Sequence, residues 1–258
     1  MPMPRLLLFI KIVILKFYKR FHPYFIGLTS KLIGIKKPFL LKRNLGKGQN
    51  TRNMSDILLT LHFLLTGPKQ FQFGGHNYYF SWDQEDLLGV TPKNKKVDWL
   101  EARNECRKRC MDAVGMETEA EMQMIFELIR SRNITYIWTS GRLCDFKGCD
   151  ERQDLKPLSV NGWFWSNTNT KMAPTNQIPP GWNSQPWSDK GHTGGPQPDN
   201  AEFGINQTPE SCLAVLNGIY NDGIKLHDIA CYHKKPYVCE DSELLIQYIE
   251  AVHNTKLN

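Results

Sequence analysis

All seven Cys and all seven Trp of this 258-residue chain fall between residues 82 and 239, and that confinement limits what the chain can fold into more than any other feature. Large aromatic side chains mark where a core can form, so the window is the domain. Seven thiols in one domain point to an oxidising compartment, because cytosolic chains rarely hold so many without a metal or redox role. Zinc-binding Cys come in tight pairs such as C-x2-C, whereas the spacings here are C-x3-C, C-x4-C, C-x18-C and C-x7-C, which favours disulfides over zinc. Three N-x-[ST] sequons, at Asn53, Asn133 and Asn206, agree with secretion, and Asn133 and Asn206 lie inside the window as glycosylation candidates.

The charge is as unevenly placed as the cysteines. Net charge is +6, but twelve basic residues precede Asp56, the first acidic one, so residues 1 to 55 carry +12 and the remainder, 20 basic against 26 acidic, carries −6. The basic character belongs to a leader and not to the folded body, which argues against nucleic acid as a partner. Residues 6 to 15 are apolar apart from Lys11 and too short to span a bilayer; a signal peptide, a membrane-surface helix or an N-terminal anchor over residues 5 to 28 are the readings this segment allows. A second apolar run, Ile57 to Thr66, has the length of a signal-peptide core but lacks a basic flank and an A-x-A site. Met54 is an alternative start, which makes residues 1 to 53 either an extra leader or an extension of the gene. The expected organisation is a leader over 1–68, one domain over 76–241 and a tail over 242–258.

Within the domain, Asp98-Trp-Leu-Glu101 and Thr118-Glu-Ala-Glu121 both have the pattern of a helix N-cap with a reciprocal Glu. Trp99, Ala102, Cys106 and Ala113 follow the first at helical spacing; Met122, Ile125, Phe126 and Ile129 follow the second. Short aromatic and β-branched runs bounded by Gly, Asn and Pro predict strands at 77–82, 136–139, 162–166, 212–216, 224–230 and 236–240. One strand, two helices and then many strands argue for an α+β fold and against a parallel wound sheet. Residues 167–209 read as a long irregular loop region, which in a compact domain is usually functional.

These residues carry a family pattern, and residues 76–241 resemble a C-type lectin-like domain, most of all the secreted invertebrate members. Trp99, Ala102 and Cys106 match the W-x2-A-x3-C of that family's first helix, Tyr136 to Gly141 its W-I-G-L strand, and Trp163-Phe-Trp165 its W-x-W strand. Trp187 then precedes Gln197-Pro198-Asp199-Asn200; Glu210-Ser-Cys212 matches E-x-C; Asp228-Ile-Ala-Cys231 matches the D-x-x-C that follows W-N-D; and Tyr237-Val-Cys239-Glu240 matches the closing strand. The resemblance implies two helices, two small antiparallel sheets and a long loop region, braced by Cys106–Cys239 and Cys212–Cys231. Cys144 and Cys149 pair as the local option, leaving Cys110, with a bridge from Cys110 to either of them or to another molecule as the alternatives.

The resemblance also implies a site. Sugar-binding relatives hold one Ca2+ with a Q-P-D or E-P-N triplet, a following Glu and the Asn and Asp of W-N-D, and two sugar hydroxyls join the ion. Carried over are Gln197, Asp199, Glu210 and Asp228 as metal ligands, with Pro198 as the expected cis proline. Leu226-His227-Asp228 departs from W-N-D: His227 puts an imidazole, a ligand better suited to zinc or copper, where relatives have an amide oxygen. The same four residues with His227 form the expected carbohydrate site, and Q-P-D accompanies galactose-type preference. The alternative is a lectin-like module that binds a protein ligand without calcium. Motifs for hydrolases, phosphate loops and metalloproteases are absent, so no enzyme is expected. The sequence thus points to a secreted, disulfide-bonded, glycan-binding protein, with a role in innate defence as in relatives.

Overall fold

The computed structural model describes residues 70–83, 95–149 and 151–253. The leader over 1–68, the apolar runs 6–15 and 57–66, the sequon at Asn53 and the last residues of the tail lie outside them. The elements, in chain order, are β1 (Phe71–Phe73), β2 (His76–Phe80), α1 (Trp99–Arg107), β3 (Met111–Ala113), α2 (Glu119–Ser131), β4 (Tyr136–Leu143), α3 (Leu158–Asn161), β5 (Trp163–Trp165), β6 (Thr170–Lys171), α4 (Ala201–Asn206), β7 (Cys212–Asn217), β8 (Ile224–Ile229), β9 (Val238–Asp241) and α5 (Glu243–His253). They build two antiparallel sheets, one ordered β1-β2-β9-β3 and the other β6-β5-β4-β7-β8. This is the α+β architecture that the resemblance implies. No helix among the described residues is long and apolar enough to cross a membrane.

Local sequence explains both long helices of the body. Asp98 caps α1 by accepting from the Glu101 N–H at 2.9 Å, and Thr118 caps α2 by accepting from the Glu121 N–H at 3.2 Å. The stripe Met122, Ile125, Phe126 and Ile129 is the buried face of α2. The first stripe is interrupted: α1 stops at Arg107, Cys110 adopts a left-handed φ of 58°, and Ala113 sits not on the helix but on β3, opposite Cys239 of β9. Asp112 on that short strand holds the corner, accepting from Arg103 at 2.8 and 2.7 Å and from Arg107 at 3.3 Å.

Two buried tryptophans tie β4 to α1 and to the segment before it with their polar edges satisfied. Trp138 Nε1 donates to the Val97 carbonyl and Trp99 Nε1 to that of Thr139, each at 2.9 Å. On β4, Gly141 lets β7 approach, since a Cβ there would stand 2.4 Å from the Leu213 side chain. The disulfides are Cys106–Cys239, Cys144–Cys149 and Cys212–Cys231, with Cα separations of 5.4, 5.5 and 5.2 Å, inside the range a disulfide spans. Cys110 is buried and lies outside these three bridges, and the Cys144–Cys149 pair leaves neither of those sulfurs for it. The ordered structure also exceeds the expected boundaries, because β1 precedes residue 76 and residues 243–253 of the tail form a helix.

A second set of carboxylates lies at the junction of β9 and α2. Glu240 is 4% exposed and its Oε1 accepts from the Gly115 N–H at 2.9 Å and from Asn167 Nδ2, while Tyr78 donates to Glu121 at 2.6 Å. Burial first, and then the charges of Glu121 and Glu117, hold the Glu240 carboxyl well above its usual range. A raised folded-state pKa means that the associated stability is present below the unfolded value of about 4.5 and is lost as pH rises through the folded one. Glu240→Gln keeps the accepting oxygen and removes the charge. Its melting temperature is expected to match wild type near pH 4 and to exceed it at pH 8; equal melting at both pH values would sink the idea.

Candidate functional site

The long loop region ends against β7 and β8, and there the structure brings three carboxylates together. Ligand oxygens of Asp199, Glu210 and Asp228 all lie within 4.8 Å of one another. Each arrives from a different element, which is why no local periodicity reveals the cluster. Asp228 is on β8, paired with Leu213 of β7, and is 2% exposed. Its two oxygens accept from the N–H groups of Asp199 (3.1 Å) and Asn200 (2.8 Å), fixing the turn that follows the cis Gln197–Pro198 bond. Asn200 is left-handed, with φ 49°, and its side chain accepts from the Glu210 N–H at 2.9 Å. Asn and Asp tolerate that conformation better than other side chains. Glu210, just before β7, faces the backbone N–H groups of Glu202 and Ala201 at the start of α4.

Three like charges so close together repel one another, and the two buried ones, Glu210 and Asp228, are shifted by it. Burial, then the charge of Glu210, pushes the Asp228 carboxyl up to about 7. Burial likewise raises Glu210, with Asp199 adding to the effect. Glu210 Oε2 is buried without a hydrogen-bond partner. An oxygen-rich, anionic pocket with an unsatisfied carboxylate oxygen suits a hard cation such as Ca2+, which takes six to eight oxygens. Asp199, Glu210 and Asp228 would hold it, and Gln197 stands beside them: a Cβ on Gly191 would lie 2.0 Å from Gln197 Nε2 and 2.7 Å from Asp199 Oδ2. A half-turn of the Gln197 amide presents its oxygen in place of the nitrogen. The ion's part would be to accept further oxygens from a ligand.

His227 takes a different direction from its neighbour. It is 1% exposed, its Nε2 lies 3.0 Å from Asp222 Oδ2, and Tyr220 packs on its ring at 5.3 Å between centroids. Burial lowers its pKa, and Asp222 opposes that. Ser188 also donates to Asp222 Oδ2. Ser188 and His227 thus address the same oxygen and not each other, which makes a buried knot and not a nucleophile–base pair. Asp222, whose side chain is fully buried, is a residue that sequence reasoning passed over; the polar turn 217–223 was its only signal.

The sequons are placed differently. Asn133 is exposed at the end of α2, with φ 52°. Asn206 donates to Glu202 at 2.8 Å and approaches the Tyr232 hydroxyl at 3.4 Å, beside a stacked Tyr232–His233 pair. Phe203, on the same short helix, is 44% exposed.

No protein-family model matches the chain, and no curated protein does. Among solved structures it is similar to the C-type lectin domain of murine dendritic cell inhibitory receptor 2 in complex with N-glycan, at 18% identity and a TM-score of 0.41, covering 68% of this chain and 97% of that one. It is also similar to a C-type lectin from the tunicate Polyandrocarpa misakiensis, at 17% identity and a TM-score of 0.39, covering 64% and 96%. A third is a Ca2+-dependent type II antifreeze protein in its Ca2+-free form, at 16% identity and a TM-score of 0.39, covering 67% and 96%. The two antiparallel sheets, the Cys106–Cys239 and Cys212–Cys231 bridges, and a cis proline beside a carboxylate cluster that includes Asp228 of β8 give the described residues a C-type lectin-like fold.

Proposed function

We propose that this is a secreted glycan-binding protein whose Asp199, Glu210 and Asp228, with Gln197, hold one Ca2+ through which sugar hydroxyls bind. The observation that carries the reading is the convergence of three carboxylates within 4.8 Å from three separate segments. Their mutual repulsion is relieved when a divalent cation enters, and vicinal hydroxyls of a saccharide complete its oxygen shell. Gln197-Pro198-Asp199 favours galactose-type ligands by the family resemblance. His227 contributes by fixing Asp222 in the turn before β8 and not as a ligand, so the ion has one protein donor fewer than in relatives with W-N-D.

A second reading, a lectin-like module that binds a protein without calcium, is favoured by the burial of Gln197, 6% exposed, and of Glu210, 9% exposed. The two readings separate on a glycan array probed with the full chain in millimolar calcium and in chelator. Galactose-type binding that disappears in chelator is the expected result. Silence in both conditions favours the protein ligand, and binding in both puts recognition on another surface.

A further inference from the structure

The loop between Ser188 and Gln197 is pinched at its neck. The Gln197 N–H donates to the Ser188 carbonyl at 2.9 Å, and the Lys190 N–H donates to the Ser188 hydroxyl oxygen at 3.0 Å. Residues 189–196 therefore leave the body and return to it at one point, as an Ω-loop does. The tip turns through Gly194, with φ 79°, whose N–H donates to the Gly191 carbonyl at 3.0 Å. This left-handed backbone suits glycine, which has no Cβ to clash.

The tip lies on the carboxylate site. Gly191 is buried, and its backbone is so close to the Gln197 and Asp199 side chains that a Cβ would overlap the Gln197 amide. Thr193 Oγ1 donates to Asp199 Oδ2 at 2.7 Å. In the same site Gln197 Nε2 and Glu210 Oε2 are shut off from solvent with no hydrogen-bond partner. An unpartnered buried polar atom carries a desolvation cost that exposure or a ligand removes. The closed loop thus satisfies one carboxylate oxygen while leaving two neighbouring groups unsatisfied, a balance that a small change tips.

We propose that residues 189–196 are a lid over this site and that Thr193 is its latch, its hydroxyl holding the Asp199 oxygen that an incoming cation or sugar hydroxyl must engage. The proposal rests on the cation and glycan reading of the site given above. Lid release precedes occupancy, so the measured affinity is the intrinsic one scaled by the open fraction. The neck stays fixed by Ser188 while the glycine-rich tip moves.

The test compares full-length wild type with Thr193→Val, which keeps the side-chain shape and removes the hydroxyl. Amide hydrogen exchange is followed across residues 188–197, and calcium chloride is titrated by calorimetry. Exchange at Gly194 is expected to speed up by about tenfold and calcium to bind roughly tenfold tighter, because a hydrogen bond to a carboxylate no longer competes. Thr193 is exposed, so the variant keeps its fold; Gly191→Ala, which pushes the tip off the Gln197 amide, gives the same acceleration by another route. Unchanged exchange in both variants overturns the lid. Faster exchange with calcium bound equally tightly by both proteins overturns the gating. Faster exchange with no calcium binding in either protein sustains the lid and overturns the cation reading instead.

Discussion

Replacing both Cys106 and Cys239 with Ala is expected to lower stability by about 5 kcal/mol, because the bridge closes 133 residues of chain and so removes a large part of the unfolded state's freedom. The Cys212–Cys231 bridge spans 19 residues, and the same entropy argument gives it about 3 kcal/mol. Urea unfolding of the two double variants without reductant measures the difference. Against a typical total of about 5–15 kcal/mol, losing the long bridge removes from about a third to all of the stability. Cys106 and Cys239 are fully buried, so a packing loss adds to the first figure. Equal costs for the two bridges would mean that loop closure is not what they supply.

Glu210→Gln is expected to move ion binding and stability in opposite directions. Glu210 is one of three carboxylates in a buried cluster, and its Oε2 has no hydrogen-bond partner. An amide at that position removes a like charge, keeps one oxygen for the N–H groups of α4, and turns the unsatisfied atom into a donor facing Asp199 and Asp228. Burial raises the Glu210 pKa, so the stability linked to its proton is present below about pH 4.5 and is lost as pH rises through the folded value. The variant's advantage over ion-free wild type is therefore expected at pH 8 and to vanish near pH 4. Calcium affinity is expected to fall by roughly a hundredfold or more, as loss of one charged donor from so small a set implies. Thermal melts with and without calcium at the two pH values read both effects. A variant that binds calcium as well as wild type would remove Glu210 from the ligand set.

These expectations draw on features that were unequally visible in the sequence. The caps at Asp98 and Thr118 and the stripe from Met122 to Ile129 were legible because each depends on residues three or four apart. The pairing of Cys106 with Cys239 and the cis proline at 198 were legible only through a family pattern, since nothing near either residue specifies them. Ala113 was misleading: it continues the spacing of α1, but the left-handed turn at Cys110 takes it to a strand. The C-terminal helix had a readable signal, Ser242 as its cap followed by Leu244, Leu245 and Tyr248, which its position beyond the last Cys obscured. In the site, three of the four residues taken from the family pattern, Asp199, Glu210 and Asp228, lie together, but sequence spacing gives no account of how deeply they lie. The knot of His227 with Asp222 and the contact of Thr193 with Asp199 depend on where two aperiodic turns come to rest. Aperiodic turns are set by tertiary contacts and not by local preference.

The pairing of β2 with β9 has a consequence for how such a domain is carried. Tyr79 lies opposite Cys239, so the second and the last strands are neighbours in one sheet, whereas Asp228 is borne by the other sheet. Copies joined through the β1-β2-β9-β3 sheet would present together the sites borne by the other sheet. Tethering sites in this way turns each later contact into an intramolecular one at an effective concentration on the order of millimolar. A site of low intrinsic affinity then holds a surface that repeats its ligand.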